Sequence, residues 1–391
     1  MFKYVMTIST IILLTNLGTV YASVRGESKV DSLHSKILAE QRELIVHLPN
    51  NYHQNTAIHY PVYYLLDGQR NFSHAVGTLD LLSQDGKAQE MIIVAIKNTH
   101  RTRDFTPTYD ESYNEWGISG GADNFLDFLE QELIPYVNKN YRTNKFKILS
   151  GHSLGGLFAV YALQTRPQLF QALFAFSPSL WWHDQVIFNE AETFLKNTEQ
   201  LNNYLYLNLG NEDGDMLSAF ERYNQLLKIN RPKGFNYNSD IDKKETHGTS
   251  ALIGQTFAYR NLYTSLQPPK EVIAQGLAAI EQFFKIESEK YGYLIKPSYS
   301  AVNHAGYIAL ENNDTVNAIK TFEANVKNYP NKADGYDSLA DGLEADGQLN
   351  KALTMRNIAI KKSISENVEN NAYKTRKAHL LVLINKNKSK K

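Results

Sequence analysis

"ILSGHSLGGLFAVYAL", residues 148–163, runs from apolar, strand-forming residues through a Gly-His-Ser-Leu-Gly-Gly bend into a stretch that reads as helix. The bend alone leaves two readings of Ser153: a nucleophile held on a strained turn, or a serine in a tight strand-to-helix connection. A working nucleophile needs a base, an acid and an oxyanion site, and each of these leaves its own trace in the chain.

Outward from the bend, residues 35–265 alternate short apolar runs with longer amphipathic ones. "ELIVHLP" (43–49) alternates like an antiparallel strand, whereas "YPVYYLLDG" (60–68), "EMIIVAIKN" (90–98) and "KFKILSG" (145–151) are nearly continuous apolar runs, the pattern of strands buried on both faces. "QALFAFSP" (171–178) and "YLYLNLG" (204–210) add two more. Between them, "ADNFLDFLEQELIPYVNKNY" (122–141) sets Phe125, Phe128, Leu129, Leu133 and Val137 at helical spacing, with Asp123 at the helix start. The fold class is α/β: a doubly wound, mostly parallel sheet.

"YTSLQPPKE" (263–271) interrupts the alternation, and no strand signal follows it. Beyond it the chain is helical with a 34-residue repeat of tetratricopeptide type. Gly306, Ala318, Phe322 and Pro330 occupy its positions, and Ala340 and Ala352 stand one repeat after Gly306 and Ala318. Tyr336 and Leu339 supply bulk for packing the helix pair. A helix is expected over 272–297 and a capping one over 368–384. The expected division is 1–22, 23–266 and 267–391.

The first 22 residues read as a cleaved secretory signal: Lys3, an apolar stretch from Val5 to Leu17, then Val20-Tyr21-Ala22 before Ser23. Cleavage after Ala22 removes Lys3 and takes the net charge from 0 to −1. The expected location is periplasmic or secreted, with no membrane span afterwards. The 391 residues include 41 Lys+Arg, 41 Asp+Glu and no cysteine, a composition that argues against a polyanion partner such as nucleic acid and removes disulfide and thiolate chemistry. With 42% hydrophobic and 12% aromatic residues, the chain is expected to be stable by burial alone.

Gly151, Ser153 and Gly155 form the nucleophile-elbow pattern G-x-S-x-G. The glycines let strand and helix approach, and the turn points Ser153 outward with the Leu154 N–H turned towards an oxyanion. On such a sheet the acid and base follow the nucleophile in that order on later strand exits. "YLYLNLGNEDGD" supplies Asp213 as the expected acid, with Glu212 as its competitor, and "KKETHGTSALIG" supplies His247 as the expected general base. His152 is read as scaffold, because adjacent side chains in a turn diverge. Gly68 or Gln69 in "LLDGQRNF" is the expected source of a second oxyanion donor. No metal, dinucleotide or Walker signature appears, so neither metal nor organic cofactor is expected.

Taken in order, "YPVYYLLDG", "NTHRTRDFTP", "GHSLGGLFAVYAL", "FSPSLWW" and "ETHG" resemble the esterase D-like branch of the α/β-hydrolases, close to the siderophore esterases that cleave ferric enterobactin-type trilactones. The resemblance covers residues 30–265. It implies carboxylic-ester hydrolysis by Ser153 and His247, with Asp213 at the family's acid position or with a Ser-His dyad sufficing. It also implies a pocket lined by Arg101 and Arg103, suited to planar oxygen pairs, and by Trp181 and Trp182. The bland alternatives are an ion pair of the arginines with Asp104 or Asp110, and packing for one of the tryptophans. The helical extension is expected to cover the cleft, self-associate or recruit a protein. Two rivals to ester hydrolysis are acyl transfer on the same fold and a non-catalytic interaction protein.

Overall fold

Along β3 (Tyr60–Leu65) every residue is buried, yet alternate side chains enter different cores. Val62 and Tyr64 join one apolar cluster, while Tyr63 and Leu65 join another, as the two-residue period of a strand requires when both sheet faces are covered. The computed structural model describes residues 26–50, 52–54, 56–366 and 368–388; the expected signal segment lies outside them.

The other strands are β1 (Glu27–Ser35), β2 (Glu40–Leu48), β4 (Ile92–Ile96), β5 (Thr143–His152), β6 (Ala172–Phe176), β7 (Tyr204–Leu209) and β8 (Asn236–Ile241). They form one sheet in the order β1-β2-β4-β3-β5-β6-β7-β8. β1 and β2 pair antiparallel, as do β2 and β4; every other pairing is parallel. The expected α/β sheet is therefore present, with the helices flanking both faces. β1 has no counterpart in the sequence reading. It is an edge strand rich in polar residues whose Val30 is 69% exposed, so it carries little apolar pattern.

The helix expected over 122–141 is regular in two parts, Ala122–Phe128 and Ile134–Asn140, joined by a π-helical turn over Leu129–Leu133. Pro135 lies in the first turn of the second part; lacking an N–H, it cannot donate to the turn before it, and the wider turn absorbs the defect.

After Gln267 the chain is helical to residue 388, apart from short turns and residue 367, which is not described. Tyr299–Glu311 with Thr315–Asn328, and Ala333–Ala345 with Leu349–Glu366, are two helical hairpins. Each helix of the second starts 34 residues after its counterpart, 299 to 333 and 315 to 349. At Gly306 an added Cβ would stand 2.3 Å from Phe322 Cε1, so the glycine is what admits the ring. Ala318, Phe322, Ala340 and Ala352 are fully buried beneath it. The core does not stop where the chain pattern changes: Ile280, Phe284, Ile295, Ala301, Val302 and Ala305 belong to the same cluster as Tyr63, Phe174 and Tyr259 of the sheet side.

Candidate active site

Ser153 sits between β5 and the helix Leu154–Thr165 with φ 60° and ψ −118°, a backbone conformation costing about 1–3 kcal/mol for a non-glycine residue. The surroundings hold it there. Its N–H donates to Phe176 O (2.9 Å), and its own carbonyl accepts from Leu157 N (2.9 Å) and Ser179 N (3.1 Å). A Cβ at Gly151 would lie 2.2 Å from the Gly155 carbonyl carbon, so strand and helix cross at a distance only glycine permits. Ser153 Oγ is partly exposed and 3.2 Å from Ser179 Oγ.

Glu212 and His247 come from neighbouring loops, one after β7 and one after β8. β7 ends at Leu209, and Asn211 N donates to Glu245 O (2.6 Å), lacing the 210–213 loop to the loop that follows β8. His247 Nδ1 lies 2.7 Å from Glu212 Oε2; a carboxylate oxygen only accepts, so Nδ1–H is the donor, and in the neutral ring this puts the lone pair on Nε2. The other carboxylate oxygen accepts from Ser177 Oγ (2.5 Å) and Gly210 N (3.2 Å). Burial pushes the Glu212 carboxyl up, but the bonds from His247 and Ser177, the His247 charge and the Gly210 N–H outweigh it and hold it below the usual carboxylate range.

Asp213, the expected acid, does not meet His247. It is exposed, at the cap of the helix Gly214–Ile229, whose positive N-terminal end suits a carboxylate. Glu212 N donates to Gly210 O (2.9 Å), and this tight turn sends Glu212 inward and its neighbour outward. Two adjacent acids look alike in sequence; the turn decides between them.

His152 is buried, and its Nε2–H donates to the backbone carbonyl of His247 at 2.6 Å. The two rings are 4.6 Å apart. Burial first, then the adjacent His247, pushes the His152 imidazole down to about 4, so it is a neutral strut at pH 7.

Leu154 opens its helix and Gly68 opens the helix Gly68–Gln84, so their N–H groups, with that of Gln69, belong to first turns without intrahelical acceptors. The two N-termini are neighbours: a Cβ at Gly155 would be 3.3 Å from Asp67 Oδ2. Arg101 fastens them, donating to Asp67 Oδ1 (2.7 Å), Asp67 Oδ2 (3.0 Å) and His152 O (2.9 Å). Arg103 pairs with Glu40 (2.8 Å) and Asp104 (2.7 Å), beside the buried Arg42–Asp104 pair. Both arginines expected to hold substrate are thus engaged in ion pairs within the chain, Arg103 with Asp104, as the alternative expected, and Arg101 with Asp67. Trp182 is fully buried and is packing. Trp181 is partly buried, donates to Met216 Sδ (2.8 Å) and packs tilted against Tyr113 (5.6 Å) and edge-on to Trp116 (6.4 Å), forming an aromatic wall.

Sequence reasoning missed Arg70, Ser177 and Ser179. Exposed Arg70 reaches Gly248 O at 3.0 Å across the base loop. No motif marks it, although it lies two residues after Gly68; the two serines stand in "FSPSLWW", beside the tryptophans.

The Esterase family model matches residues 35–239, just over half of the chain. The chain belongs to the Esterase family. Among the relatives of this Esterase-family chain is the ferri-bacillibactin esterase BesA of Bacillus subtilis, 34% identical over 165 residues that cover 37% of this chain and 56% of that protein. The chain thus spans just over half the length of that curated relative. The IroE-like serine hydrolase of Shewanella oneidensis shares the fold with a TM-score of 0.67 and 28% identity, over 76% of this chain and 99% of that one. An uncharacterised protein of Capnocytophaga ochracea, at 16% identity and a TM-score of 0.60, matches 91% of this chain and 100% of its own, extending the likeness in fold into the helical region.

Proposed function

We propose that this Esterase-family chain is an exported serine hydrolase of carboxylic esters, with Ser153 as nucleophile, His247 as general base and Glu212 as the acid that orients it. The observation that carries the reading is the hydrogen bond of 2.7 Å from His247 Nδ1 to a carboxylate that itself accepts two further bonds, with the His247 ring 4.6 Å from that of His152, the residue preceding a serine on a strained strand-to-helix turn. Glu212 keeps the imidazole in the tautomer with a free Nε2 and stabilises its charged form. Ser153 Oγ attacks the ester carbonyl as its proton passes to Nε2. The Leu154 N–H, with that of Gly68 or Gln69, receives the oxyanion. The intermediate collapses, His247 returns the proton to the leaving alcohol, and water repeats the sequence on the acyl-enzyme.

The substrate class proposed first is the siderophore-type ester, on the strength of the relative named for ferri-bacillibactin and of the partly buried Trp181 wall, which suits a flat acyl group. Residues 1–22 are proposed to direct export and to be cleaved after Ala22, and the helical hairpins to act as tetratricopeptide-type repeats that bind a protein or a second copy. Screening the full chain against siderophore trilactones, acylated sugars and short aryl esters, with Ser153→Ala in parallel, tests the reading. Turnover of a trilactone in preference to the others, abolished by Ser153→Ala, is the expected result; equal turnover by the variant would sink it.

A further inference from the structure

Residues 177–179, Ser-Pro-Ser at the exit of β6, touch both ends of the catalytic arrangement proposed above. The Ser177 hydroxyl is fully buried, donates to Glu212 Oε1 at 2.5 Å and lies 2.8 Å from Ser250 Oγ, which is in turn 3.2 Å from His247 O. Two positions on, Ser179 is 2% exposed and its Oγ is 3.2 Å from Ser153 Oγ. A buried hydroxyl takes a partner, and the partner here is the nucleophile.

Three features of the backbone fix these hydroxyls. Ser177 has φ 39°, where glycine is at ease and other residues are strained, so a side chain is kept at a position that disfavours one. Its backbone N–H is tied to Asn208 O of β7 (2.8 Å), which fixes where the hydroxyl points. Pro178, with its φ set by its ring, packs on the elbow helix: a Cβ at Gly156 would be 3.0 Å from Pro178 Cα. The two hydroxyls are thereby held at a set separation relative to Ser153.

We propose that Ser177 and Ser179 are paired positioning residues, Ser177 locking the Glu212 carboxylate so that Oε2 faces His247, and Ser179 holding Ser153 Oγ and donating to it as its proton leaves. The proposal rests on the triad reading. Loss of the Ser177 donor leaves more charge on the carboxylate for the imidazolium, so His247 holds its proton to higher pH. Loss of the Ser179 donor removes an interaction needed as charge develops, which lowers kcat and spares KM.

The test is kcat and KM of the full chain on p-nitrophenyl butyrate from pH 5 to 9, with Tm measured for each variant. Ser177→Gly suits the backbone and should keep Tm, lose at least about tenfold in kcat and shift the acid limb of kcat/KM to higher pH. Ser179→Ala should lose at least about tenfold in kcat with KM within about twofold, and Ser179→Thr, which keeps the hydroxyl, should recover most of it. Wild-type kcat in a folded Ser177→Gly or Ser179→Ala variant overturns the proposal. Ser153→Ala, run beside them, separates the two ideas: full turnover there removes the triad itself, whereas its inactivity alongside unaffected serine variants removes only the clamp.

Discussion

At Glu212 and Asp213 a single position along the chain separates a carboxylate bonded to His247 from one at an exposed helix cap. Glu212→Gln should therefore lower kcat by about 10²- to 10⁴-fold, because the amide no longer stabilises the imidazolium. Asp213→Asn should stay within a few-fold of wild type in the same ester assay. The choice between these acids was not legible in the sequence, which carries no record of how the 210–213 turn aims its side chains. By contrast, the turn that carries Ser153 was legible, because the apolar run of β5 leads straight into it, whereas His247 follows the polar edge strand β8 and was placed by chain order. His152 supplies a pH test. Its ring is held neutral when folded, at about 4 against an ordinary 6.5, so the unfolded chain takes up its proton first as the pH falls. Stability should thus decline between pH 6.5 and 4 by up to about 3 kcal/mol from this group, at 1.36 kcal/mol per pH unit. The lowered Glu212 acts in the same direction but further down: its contribution is complete above the ordinary carboxylate range and is lost as the pH falls through its folded value. Urea titrations of His152→Gln, whose amide N–H stands in for Nε2–H and does not titrate, should show a flatter slope over that interval than wild type.

The strand-to-helix crossing at the elbow depends on the missing Cβ of residue 151. Gly151→Ala would drive a carbon to 2.2 Å from backbone of the facing helix turn, which cannot yield as a side-chain tip can. Denaturant unfolding should show a loss above about 4 kcal/mol, or no folded protein. Gly77→Ala makes the contrast: it is exposed in the helix Gly68–Gln84 with nothing within 4 Å of the added carbon, and should stabilise by about 0.5–1 kcal/mol. Elements were readable wherever burial imposes a period, as in the continuous runs of β3, β4 and β5. They were unreadable where one face is solvated or a defect is absorbed locally, as in β1 with its exposed Val30 and in the π-helical turn before Pro135. The arginines of 101–103 carry a related ambiguity. Their chemistry suits an anion whether it is a ligand or an internal carboxylate, and only the fold brings Asp67 and Glu40 into reach.

For the whole molecule, the apolar cluster shared between the sheet and residues 280–305 sets how the chain can be divided. Phe146 of β5 packs on Tyr291 (5.5 Å) and Tyr293 (5.7 Å), and the Tyr291 hydroxyl donates to Leu262 O at 2.6 Å. A chain ending at residue 269 should therefore expose this surface and show a Tm lowered by many degrees or aggregation, whereas one ending at residue 297 should keep more of both Tm and ester turnover; thermal unfolding of the two checks this. The double proline marks a change of chain pattern, and burial carries on across it. Formation of an acyl-enzyme at Ser153 alone is checked by treating the full chain with a fluorophosphonate and mapping the adduct by mass spectrometry. The expected result is a single stoichiometric adduct on Ser153, slowed strongly in Glu212→Gln and absent in Ser153→Ala. An unlabelled chain that still turns over esters, or an adduct on another residue, would contradict it.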